Sequence, residues 1–101
     1  MVQHVTLFSF NKNADTVTRK KLLKTLKQLP SYIDFIKSFR LGKDFSQRQT
    51  CYEYGLVAEF DSKDDLHRYL MHAIHEEFIQ RALPYLDKLA EVDFEFEKEK
   101  R

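Results

Sequence analysis

Three short segments of the chain alternate side chain by side chain, and a period of two commits a segment to a pleated strand. VQHVTLFSF at residues 2–10 sets Val2, His4, Thr6, Phe8 and Phe10 on one face and Val5, Leu7 and Ser9 on the other. YEYGLVAEF at 52–60 sets Tyr52, Tyr54, Leu56, Ala58 and Phe60 against Glu53, Gly55, Val57 and Glu59. LAEVDFEF at 89–96 alternates Val92, Phe94 and Phe96 with acids. These runs are rich in the β-branched and aromatic residues that suit a half-buried sheet. A fourth run, FIKSFRLGKDF at 35–45, alternates less regularly around Gly42. The polar residues 46–50 that follow it predict a hairpin loop.

Between the strands the period changes. Leu22, Leu23, Leu26 and Leu29 recur at one-face helical spacing over residues 15–29, with Asp15 or Thr16 able to cap the start and Pro30 marking the end. Asp61-Ser62 opens a second helix, and Asp64 and Asp65 suit its first turn. The segment His72-Ala73-Ile74-His75 is expected to interrupt or re-angle it. A third helical stretch is expected to run to about Leu86, burying Ile74, Phe78, Ile79, Ala82, Leu83 and Leu86. The order is β-α-β-β-α-α-β. Helices on one face of a four-stranded antiparallel sheet make an α+β, ferredoxin-like protein.

One hundred and one residues suit one domain, expected over 1–97 with a solvated tail at 98–101. The net charge of +1, from 17 basic and 16 acidic residues, argues against electrostatic capture of nucleic acid or an anionic membrane. The same strand order occurs in RNA-binding sheets, but Glu53, Leu56 and Glu59 stand where the RNA-reading pattern needs glycine and aromatics. Cys51 is alone, so no internal disulfide forms. The start shows no secretory pattern, and no apolar run approaches the roughly 20 residues that span a bilayer. The expected setting is cytoplasmic. No phosphate loop, nucleophile triad or cysteine metal motif is present. His72, His75 and His4 could supply three metal nitrogens, but a lone HxxH is weak, and no metal or organic cofactor is predicted.

Several quoted segments resemble one family. MVQHVTLFSF, SFRLGKDFS, YGLVAEFDS, YLMHAIHEEF and VDFE are similar, in order, to the strands and paired-histidine motif of stress-responsive A/B-barrel (Dabb) proteins. Ala73 stands where the family motif has proline. The resemblance implies a ferredoxin-like protomer whose open sheet face packs on a second copy, giving a homodimeric α/β barrel. It also implies candidate roles. Polyketide-cyclising members use the position of His75, with a tyrosine at the position of Tyr69, to move a proton beside a carbonyl. Two further residues of those members appear here as Tyr54 and Leu26.

His4 is the candidate read most directly from the residues, since an inward histidine on an apolar strand can act as acid or base near neutral pH. The catalytic candidates are therefore His4, His75 and Tyr69. Phe8, Tyr54, Leu56, Ile74, Phe78 and Phe94 are the expected lining of a pocket between sheet and helices. The expected ligand is a small, partly apolar carbonyl or phenolic compound. Two alternatives stand beside it: a non-catalytic stress or assembly protein, and a cofactorless monooxygenase-like enzyme.

Overall fold

The computed structural model describes residues 1–98. Along the chain run β1 (Val2–Phe10), α1 (Thr16–Tyr32), β2 (Ser38–Lys43), β3 (Tyr54–Phe60), α2 (Lys63–Met71), α3 (Ala73–Ala82), a 3-10 turn at Leu83–Tyr85, and β4 (Leu86–Glu95). The strands form one sheet in the order β2-β3-β1-β4, each neighbour antiparallel. The helices cover one face of it. Phe8, Phe10, Leu56, Ala58 and Phe60 from the sheet meet Leu26, Leu29, Leu66, Tyr69, Phe78 and Ala82 from the helices in one buried core. No helix among the described residues is long and apolar enough to cross a membrane.

Helix boundaries follow local chemistry. The Asp15 carboxylate accepts from Thr18 N–H at 2.8 Å and starts α1. The helix does not stop at residue 29. Pro30 removes one amide donor, yet the chain stays helical to Tyr32 and Ile33 N–H closes on the Leu29 carbonyl at 3.0 Å. Leu29 and Ile33 are both fully buried, and burying them outweighs one missing bond near a helix end. Ser62 caps α2 through Asp65 N–H at 3.1 Å. The expected break at 72–75 is a sharp junction, with His72 ending α2 and capping α3.

Other boundaries also differ from the sequence expectation. Helix α3 ends at Ala82 rather than near Leu86, because Pro84 has no amide to continue the ladder and the chain tightens into a 3-10 turn. Strand β4 therefore begins at Leu86. The β2–β3 connection takes up both strand ends, from Asp44 to Glu53. It is closed by Asp44 N–H to the Glu53 carbonyl at 2.8 Å and by Gln47, at φ 55, donating to the Asp44 carboxylate at 2.8 Å. Of the expected tail, residues 99–101 lie outside the described part.

The register of β4 overturns one expectation outright. His4 pairs with Asp93, Thr6 with Glu91 and Phe8 with Leu89, whereas Gln3 pairs with Phe94 and Val5 with Val92. Directly paired residues share a face. The acids of β4 thus share the helix-side face, exposed at the edge of the sheet, and Val92 and Phe94 lie on the open face. That face gathers Val5, Leu7, Val57, Ala90, Val92 and Phe94. Leu7, Val92 and Phe94 remain 38%, 55% and 48% exposed there. Glu59, paired with Gln3, stays on this face, while two other acids turn away from it. Asp93 turns inward to His4, and the Glu53 carboxylate binds Phe10 N–H at 2.7 Å and Arg19 at 3.2 Å.

Candidate functional site

Strands β1 and β4 lay a polar row beneath the helices. His4, only 3% exposed, donates from Nδ1 to the Asp93 carboxylate at 2.5 Å. With that proton on Nδ1, the neutral form of the ring presents Nε2 as an acceptor, 3.0 Å from the Thr6 hydroxyl. The two nitrogens are therefore distinct: one is anchored to a carboxylate, and the other meets the Thr6 hydroxyl.

Helices α2 and α3 bring the rest. Tyr69, near the end of α2, is fully buried, and its ring lies 5.9 Å from that of His4 and 4.4 Å from that of His75. Burial, reinforced by the charge of Glu91, raises its pKa well above the usual phenol value. Its hydroxyl therefore stays a proton donor at any physiological pH. His75, in the first turn of α3, bonds through Nδ1 to the Leu70 carbonyl at 3.2 Å, which fixes the proton on Nδ1. Burial holds its pKa below the ordinary 6.5, partly offset by the Leu70 carbonyl. His75 is thus a neutral base near pH 7.

These groups line a cavity of about 180 Å³ between α1, α3 and the sheet. The rest of the lining is mostly apolar, with Phe8, Phe10, Leu22, Leu26, Leu56, Phe78 and Ile79 among it. Exposed Leu83 and Leu89 mark its mouth. A cavity of about 150 Å³ is known to take benzene, so this one is matched to a single ring or a short chain.

His4, Tyr69, His75, Phe8, Leu56 and Phe78 line the cavity together. Tyr54, Ile74 and Phe94 do not. Tyr54 shares the face but stacks on Phe8 at 5.3 Å, behind the cavity wall. Ile74 packs against the core beside the α2–α3 junction. Phe94 sits on the opposite face of the sheet because β4 alternates the other way. His72 caps α3 by accepting from Ile74 N–H at 3.1 Å and does not line the cavity. Among the described residues no three histidine, cysteine or carboxylate side chains converge on a metal position. Sequence reasoning missed Asp93, Thr6 and Glu91. Thr6 was visible, two residues from His4 on the same face. The two acids needed the register of β4, which alternation alone leaves open by one residue.

The family profile "Stress responsive A/B Barrel Domain" matches residues 2–96. The chain belongs to the stress-responsive A/B barrel domain family. A stress-response A/B barrel domain-containing protein of Arabidopsis thaliana is 30% identical over 77 residues, 73% of this chain and 69% of that protein. The crystal structure of the Arabidopsis thaliana protein At3g17210 is 29% identical, superposes with a TM-score of 0.84 and is covered in full by the full chain. A dimeric ferredoxin-like protein from Thermobifida fusca (24% identity, TM-score 0.83, 94% of this chain and 90% of that one) has the same fold. So does the hydroxynitrile lyase of Passiflora edulis, at 13% identity and TM-score 0.86 over 99% and 96% of the two chains.

Proposed function

We propose that this A/B barrel protein binds a small, partly apolar carbonyl or phenolic compound between sheet and helices. There it performs cofactorless acid–base chemistry. One observation carries the reading: a buried histidine, held by Asp93, lining a largely apolar cavity with Tyr69 and His75 against it. A carboxylate on Nδ1 fixes the tautomer and stabilises the imidazolium that forms when Nε2 takes a proton. In the proposed step the Tyr69 hydroxyl donates to the ligand's carbonyl oxygen. The Nε2 of His4 or His75 then removes the proton from the neighbouring carbon. Charge leaves the carbon for an oxygen already hydrogen-bonded, the arrangement that lowers the ligand's barrier to enolisation. The Thr6 hydroxyl rotates from donor to acceptor once His4 is protonated.

We propose further that residues 1–97 act as one domain and that two copies pair through the open sheet face. The apolar set from Val5 to Phe94 supports this, as does the dimeric state stated for the Thermobifida fusca neighbour. A purely structural role predicts a cavity with no ligand. The test is a thermal-shift screen of β-diketones, phenols and small lactones on the wild type and on His4→Ala. Stabilisation of the wild type that His4→Ala loses supports the reading. No stabilisation by any compound, or equal stabilisation of the variant, overturns it.

A further inference from the structure

The ionisable groups of the cavity are unequal in sign. Glu91 lies directly across from Thr6, the residue bonded to His4 Nε2, and its side chain lines the cavity near the mouth. Asp93 lies one pair further in, behind His4. No lysine or arginine among the described residues lines the cavity. The Asp93 charge is partnered by His4. Nothing among the cavity's side chains offsets Glu91, and its field reaches Tyr69.

From this geometry we infer that Glu91 selects the ligand's head group: the cavity takes a single-ring or short-chain compound whose head donates hydrogen bonds, and it rejects carboxylates. The inference rests on the proposed ligand reading and narrows it. An anion entering here would lose water, meet a fixed carboxylate and find no lysine or arginine to pair with. An alcohol, phenol, enol or protonated amine would instead donate to Glu91 while its apolar part fills the space toward Phe78 and Leu26. The size of the cavity limits that part to about one ring.

The test uses three probes that share a phenyl ring on a short chain: 2-phenylethanol, 2-phenylethylamine and 3-phenylpropanoate. Each is titrated into the whole protein near pH 7.5 and followed by amide and methyl NMR. Wild type should bind the acid at least about tenfold more weakly than the alcohol, and the amine more tightly than the alcohol. Glu91→Gln should shrink both differences to within about threefold, as should raising the salt, since Glu91 is near solvent. Glu97→Gln, a charge change on the exposed C-terminal segment, should leave both unchanged. Equal or tighter binding of the acid by wild type, or differences that survive Glu91→Gln, overturn the inference while leaving the ligand reading standing. If none of the three shifts a cavity resonance, both fall.

Discussion

At the scale of single residues, the site depends on which nitrogen of each histidine carries the proton. Asp93 places it on Nδ1 of His4, and the Leu70 carbonyl places it on Nδ1 of His75. Nitrogen-detected NMR at high pH should find both rings with Nδ1 protonated and Nε2 bare. Asp93→Ala should release that preference at His4, and a wild-type His4 protonated on Nε2 would contradict the assignment. His75 also makes stability depend on pH. Burial lowers its folded pKa below 6.5, so the unfolded chain gains the proton first as pH falls. Its contribution is complete above about pH 6.5 and drains away below it. The melting temperature should fall between pH 7 and 5.5, and less so in His75→Gln. The hydrogen-bonded carboxylates of Asp15 and Asp44, lowered from 3.8, act only in a more acidic window. An equal slope in His75→Gln would assign the effect elsewhere.

At the scale of elements, the α2–α3 junction and strand β4 place the chemistry. His72 ends one helix and starts the next at φ −66 and ψ 134, an extended conformation that a following proline accepts. Ala73 is the first residue of α3, where proline's missing N–H costs nothing. Ala73→Pro should therefore raise stability by about 0.4–1 kcal/mol, read by chemical denaturation, and leave His75 in place. A destabilised variant would show that the junction needs alanine's freedom.

The elements themselves were legible from periodicity, because leucine spacing and strand alternation are local signals. So was the inward face of β1, since its polar alternative held too little apolar surface. Strand β4 was not legible. Its alternation of acids and apolar side chains suggests acids outward, and in an isolated protomer that is what burial would choose. The structure does the reverse, because the His4 imidazole gives one acid a partner and the open face gathers the apolar side chains. Glu91 and Asp93 were hidden by the same rule that made the rest readable. Pro30 misled in a smaller way, since tertiary burial of Leu29 and Ile33 carried α1 past it.

For the whole molecule, the open face is the unresolved cost of that register. A sheet with Leu7, Val92 and Phe94 exposed to this extent is expected to find a partner surface. Sedimentation at micromolar concentration should find a dimer, and Phe94→Glu should shift it to monomer while the cavity, on the other face, stays intact. A wild type that remains monomeric on concentration would contradict the pairing. The central claim concerns the cavity, and the most direct measurement of it is where a ligand sits. Phenylacetone, one ring with a carbonyl, should give intermolecular NOEs from its ring to Leu26 and Phe78 and from its methyl and methylene protons to the His4, Tyr69 and His75 rings. NOEs or shift changes confined to Val92 and Phe94 on the open face, or none at all, would contradict the account.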